Sequence, residues 1–190
     1  MLEKGNTMLR KSTLLVTMLL ALAFVFVSLA GAADHQYIGA TKCKTCHNSE
    51  KKGKIFDKWM ETAHAKAYTT LASEASLKIA KEKGIEDPQK ADACLKCHVT
   101  GHGVKAELKG EKYAAAEGVT CEACHGPGGD YFKMSTMKGL VTGEVKAADV
   151  GFVKADSTTC VVCHNQESPT FKGFKYAEMF PKIEHKVPAE

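Results

Sequence analysis

Apolar positions crowd one end of the chain. From Leu14 to Ala30 no charge interrupts a run of mostly Leu, Val, Ala and Phe; Lys4, Arg10 and Lys11 precede it and Ala30-Gly31-Ala32 closes it. A basic head, an apolar middle and a small-x-small end form the pattern of a secretory leader. Residues 1–32 are therefore read as a signal peptide, cleaved after Ala32, and residues 33–190 as the working domain. An uncleaved leader of this length would act instead as a membrane anchor.

Past the leader the pattern changes. Asp34 to Thr41 is a short polar lead-in, and Ser49 to Lys83, rich in Ala, Lys, Glu and Leu and free of Pro, predicts one long helix or two consecutive helices stopped by Gly84. Phe56, Met60, His64 and Tyr68 recur every four residues, with Trp59 and Ala63 beside them, and so would share one apolar helix face. Asp87-Pro88 opens a loop or a helix start, and Thr100-Gly101-His102-Gly103 predicts a turn. Lys105 to Gly118 reads as a short hairpin or helix, Met134 to Asp156 as helix and loop, and the tail carries Phe171, Phe174, Tyr176, Met179 and His185. No strand pair, heptad repeat or low-complexity tract is visible. The expected fold is mainly α, with little or no β.

Composition changes the picture of the core. The chain is 44% hydrophobic but only 7% aromatic with one Trp, and the segment after the leader has few large apolar stretches while holding all eight cysteines. Such a chain is expected to wrap something large and apolar that it does not encode, a need that covalent macrocycles would meet. The net charge of +4, without Glu3, Lys4, Arg10 and Lys11, leaves 23 basic and 21 acidic residues. That balance is no nucleic-acid footprint.

The cysteines explain the need. They form four C-x-x-C pairs, each followed at once by histidine: Cys43-Cys46-His47, Cys94-Cys97-His98, Cys121-Cys124-His125 and Cys160-Cys163-His164. This is the attachment signature of c-type heme. On a helical turn the two sulfurs point to one side, where they can form thioethers with the two vinyl groups of one porphyrin. The next residue then lies beneath the ring, so its imidazole can bind the iron. Zinc ribbons, disulfides and thiol redox sites also use C-x-x-C, but none demands the histidine. The expected cofactors are four covalently attached heme c groups with a heme-filled core. A leader agrees with that expectation, because this heme is attached after export.

The remaining ligands are open at this stage. Outside the motifs stand His35, His64, His102 and His185, enough for four bis-histidine irons. His64 sits on the predicted apolar face, His185 in the aromatic tail, His102 between two glycines and His35 in the lead-in. Met134 and Met137 follow the third motif, and methionine also binds heme iron.

The four motifs, Thr62-Ala-His64-Ala-Lys-Ala after the first, and Cys121-Glu-Ala-Cys-His-Gly-Pro-Gly128 at the third resemble the tetraheme cytochrome c-554 family over nearly the whole chain past the leader. The resemblance implies a mainly helical protein with closely packed hemes that exchanges electrons with redox-protein donors and acceptors. It assigns His64 to the third heme and His185 to the fourth, and leaves the iron held by His98 without a sixth protein ligand. The family's distal histidine for the first heme follows the Gly-Pro-Gly segment; here that stretch is Asp130-Tyr-Phe-Lys-Met134-Ser-Thr-Met137, so Met134, Met137, His102 or His35 would replace it. The expected function is periplasmic electron transfer, which needs no catalytic residue. The rival is a small reductase whose five-coordinate heme takes nitric oxide, hydroxylamine or a related nitrogen oxide.

Overall fold

The computed structural model of the protein describes residues 34–188, so the expected leader lies outside the described residues. The helices are short: α1 (Ala40–His47), α2 (Ile55–Glu61), α3 (Ala67–Thr70), α4 (Glu74–Glu82), α5 (Asp92–His98), α6 (Cys121–His125), α7 (Met134–Thr142), α8 (Ser157–Val161) and α9 (Tyr176–Met179). Single 3-10 turns separate several of them. Among the described residues the β structure is one isolated parallel bridge, Tyr37 to Lys109. The fold is mainly α, as expected. No described helix is long and apolar enough to cross a membrane.

The predicted long helix over 49–83 is broken into a 3-10 turn at Glu50–Lys52 and the three helices α2, α3 and α4. Two local causes are visible. Gly53 (φ 74°) and Lys54 (φ 48°) both take left-handed backbone, which ends any helix arriving from the first motif. Thr62 is extended (φ −76°, ψ 161°) and its hydroxyl donates to the Trp59 carbonyl at 2.7 Å, closing α2. The four-residue recurrence therefore does not make one continuous face. Phe56 is buried, Met60 is 49% exposed, and His64 falls in the turn between α2 and α3. Gly84 (φ 68°) does follow the end of α4, and the Ile85 N–H reaches back to the Ala80 carbonyl at 2.8 Å.

Long-range polar contacts hold these short pieces in place. The lead-in is anchored rather than loose: Tyr37 N–H donates to the Leu108 carbonyl (2.8 Å), Gly110 N–H to the Tyr37 carbonyl (2.7 Å) and Gly129 N–H to the Gln36 carbonyl (2.9 Å). A second knot forms around buried Thr100, which receives the Thr120 N–H on its hydroxyl (2.7 Å) and the Tyr113 hydroxyl on its carbonyl (2.7 Å). It joins the exit of the second motif to the start of the third. By contrast the chain's own apolar core is small: Ile38, Ala40, Phe56, Leu71, Ala80, Val99 and Tyr131, with Pro88 the one large side chain fully enclosed among the described residues. From His35 onward the described chain nevertheless forms one compact unit.

Candidate heme-binding sites

Each C-x-x-C-H sequence lies on a helical turn. The first three end α1, α5 and α6, and the fourth runs out of α8, where the Cys163 and His164 N–H groups donate to the Cys160 carbonyl at 3.2 and 3.0 Å. Asp156 caps α8 through a capping box with Thr159. The start of α1 is capped from a distance: Glu122 accepts the N–H groups of Ile38 and Gly39, and Glu117 accepts that of Ala40 at 2.9 Å.

The eight cysteines are free of disulfides, and among the described residues no three His, Cys, Asp or Glu side chains are grouped to hold a metal ion. Burial pushes the thiols of Cys94, Cys124 and Cys160 up, and it pushes Cys163, with Cys97 alongside, up to about 12. Cys43 is raised first by its contact with Cys121 and then by burial, while the same contact lowers Cys121. The contacts between thiols also order the motifs. Cys43 meets Cys121, Cys124 faces Cys160, and Cys97 meets Cys163. The spatial row is first, third, fourth, second.

Three imidazoles are oriented through their other nitrogen, whereas the Nδ1 of His47 is buried without a hydrogen-bond partner. His98 Nδ1 lies 2.7 Å from the Ala67 carbonyl, His125 Nδ1 3.2 Å from the Val153 carbonyl and His185 Nδ1 3.1 Å from the Ile183 carbonyl. A carbonyl can only accept, so Nδ1 carries the proton and Nε2 keeps its lone pair for a metal. Burial depresses the pKa of His47, His64 and His125, which favours the neutral, ligating form. His125 also stacks on Phe152 at 5.8 Å, and Phe152 meets Tyr131 edge-on at 5.3 Å.

Two further histidines face motif histidines. The His64 and His164 ring centroids are 6.0 Å apart, and those of His125 and His185 are 6.1 Å apart. Two imidazoles bound to opposite sides of one metal at lengths of about 2 Å have centroids roughly 6 Å apart, so both separations suit an iron held between the rings. His64 faces the fourth motif and His185 the third, whereas the family resemblance assigns His64 to the third heme and His185 to the fourth. The turn closed by Thr62 accounts for His64, because its carbonyl is held by the N–H groups of Ala67 (3.1 Å) and Val119 (3.0 Å).

The other candidates are not seen against a motif ring. His35 Nδ1 lies 2.6 Å from Asp130 Oδ2, with its ring against Gly151. His102 Nε2 lies 3.0 Å from Asp92 Oδ1 at the start of α5. Met134 is 64% exposed at the start of α7, and Met137 is half-buried one turn later. Glu122 escaped the sequence reading. A Glu inside a C-x-x-C pair reads as a solvated residue, and its burial depends on N–H donors more than 80 residues earlier in the chain.

A mainly helical chain with repeated C-x-x-C-H turns and opposed imidazoles defines a multiheme c-type cytochrome. Residues 42–126 match the family model described as Cytochrome c554 and c-prime. Cytochrome c-554 of Nitrosomonas europaea is 34% identical over 170 residues, covering 82% of this chain and 70% of that protein. Multiheme cytochrome MtrA of Shewanella baltica is 28% identical over 100 residues, 50% of this chain and 29% of that protein. No solved structure matches. The chain belongs to the cytochrome c-554 family, whose heme c groups are covalently bound and whose work is electron transfer.

Proposed function

We propose that this chain is an exported periplasmic electron carrier that holds four heme c groups, one on each C-x-x-C-H turn. The observation that carries the reading is the combination of four such turns with two imidazole pairs opposed at 6.0 and 6.1 Å. A heme c supplies a one-electron Fe(III)/Fe(II) couple when bound. The chain's residues do the rest. The cysteine pairs at 43/46, 94/97, 121/124 and 160/163 anchor the porphyrins, and His47, His98, His125 and His164 are the proximal ligands. His64 is the distal ligand opposite His164, and His185 the one opposite His125. For the first iron His35 is the best prepared donor, since a carboxylate on Nδ1 orients a ligating imidazole, with Met134 and Met137 as the alternatives.

The neighbouring motifs support electron transfer within the chain, because passing an electron requires adjacent centres. Exposed Lys42, Lys44, Lys51, Lys52 and Lys54 surround the first motif and favour an acidic redox partner there. The leader pattern supports a periplasmic location. A second reading, a reductase with an open iron position at His98, is favoured by one observation: the Nε2 of His102 is taken up by Asp92.

Intact-mass measurement of the exported protein, with heme staining of the denatured chain, tests the main reading. A mass increment of four porphyrins is expected, and an unmodified chain sinks the proposal. EPR of the oxidised protein with and without nitric oxide separates the two readings. Four low-spin irons indifferent to nitric oxide identify a carrier; a high-spin iron that binds it identifies a reductase.

A further inference from the structure

Among the described residues Glu122 is the only buried charged side chain, at 2% exposure. It lies between the two cysteines of the third motif. Its Oε1 accepts the N–H of Gly128 at 2.7 Å and of Ile38 at 2.9 Å, and its Oε2 accepts those of Gly39 at 2.8 Å and Ile38 at 3.2 Å. Every one of these partners is a backbone donor, which suits an acceptor-only carboxylate rather than a carboxylic acid. No side-chain cation appears among them.

The three donor residues belong to two separate segments. Ile38 and Gly39 lead into α1 and the first motif, and Gly128 closes the loop behind the third. One side chain thus pins the two motif helices α1 and α6, which pack against each other. Glu117 adds a second carboxylate at the start of α1. The negative charges of both glutamates act on Cys43 and Cys121. At the other end of the row the charge beside Cys97 and Cys163 is Lys96, which is ion-paired with Glu167.

We propose that Glu122 is a positioning residue that locks the first and third motifs side by side, and that its buried carboxylate, contacted by no side-chain cation, sets the two irons there at lower reduction potential than the pair at the second and fourth. The proposal rests on the heme assignment above. Each one-electron reduction, with the electron supplied by a donor redox protein, takes Fe(III) to Fe(II) and removes one unit of positive charge. A nearby buried anion favours the ferric form, while a balanced ion pair favours neither. The protein would then be polarised, with electrons resting preferentially at the second and fourth motifs.

The test is spectroelectrochemical titration of exported holoprotein, wild type against Glu122→Gln and Glu117→Gln, each checked by intact mass for its heme complement. Two of the four midpoints are expected to rise in both variants, more in Glu122→Gln than in Glu117→Gln, while the other two stay put. Unmoved midpoints, or an equal rise of all four, overturn the proposal. If Glu122→Gln does not accumulate in loaded form, Glu117→Gln decides alone by the same criterion. Failure of the heme assignment itself would show separately, as wild-type protein without added porphyrin mass.

Discussion

His64 and His185 stand far in sequence from the histidines they face, and each faces a different one. Their replacement should therefore act on separate irons. His64→Ala is expected to convert one low-spin EPR signal of the oxidised protein to high spin, His185→Ala a different one, and the double variant both, as independent sites require. Two single variants that altered the same signal would refute this pairing. The sequence made the four spare histidines visible by simple counting. It could not pair them, because the placement of His64 depends on a turn that the four-residue recurrence disguised as helix. Glycine gives a second residue-scale test. A Cβ at Gly126 (φ 76°) would lie 2.1 Å from the Gly151 carbonyl oxygen, whereas one at Gly143 (φ 82°) meets nothing within 4 Å. Gly126→Ala should cost about 2–4 kcal/mol, from left-handed strain plus a backbone clash. Gly143→Ala should cost about 1 kcal/mol, the strain alone. Denaturant melts of the two holoproteins give the comparison, and equal losses would contradict the packing described at Gly126.

At the scale of elements, the helices here are too short to persist without help from elsewhere. α8 has its own cap: Asp156 accepts the N–H of Thr158 at 2.8 Å and that of Thr159 at 3.4 Å. The Thr158 hydroxyl, which donates to Asp156 Oδ1 at 2.6 Å, and then these backbone bonds lower the Asp156 pKa, so its contribution is complete above the ordinary carboxylate range and fades as pH falls through the lowered native value. Thermal melts between neutral pH and about pH 2.5 should accordingly show a shallower acid slope for Asp156→Asn than for wild type. Identical slopes would show that the cap does not couple to folding. The Asp156 cap sits in the short-range signal that sequences carry, as does the stop at Gly84. The breaks at Lys54 and Thr62 do not, since Lys and Thr are ordinary helix residues and only the surrounding contacts turn them aside. The third motif was legible as a heme turn, yet the Glu122 bonds that fix it against α1 were invisible because both partners are backbone groups of another segment.

For the whole molecule, the small apolar core means that the polypeptide cannot hold itself together by burial alone. Residues 33–190 made alone in a compartment that does not attach heme should give a coil-like far-UV circular dichroism spectrum and no cooperative melt. A sharp thermal transition in that material would show that the side chains suffice. Charge sets a second whole-molecule property. If the lysines around the first motif receive an acidic partner, Lys51→Glu with Lys52→Glu should slow its electron exchange about tenfold at low salt, a difference that shrinks as salt screens the encounter. Stopped-flow rates against ionic strength measure this, and a salt-independent gap would remove the docking role. The near-balanced overall composition hides that local surface, but the spacing of Lys42, Lys44, Lys51, Lys52 and Lys54 around the first motif makes it legible in the sequence itself.

The contact of Cys97 with Cys163, rather than with Cys43 or Cys121, separates the order of synthesis from the order of neighbours. A ribosome delivers the second motif early, but its companion arrives last. Shortening the protein from the carboxyl end would consequently orphan a centre made near the beginning, and spare the junction between its flanking motifs on either side in the sequence.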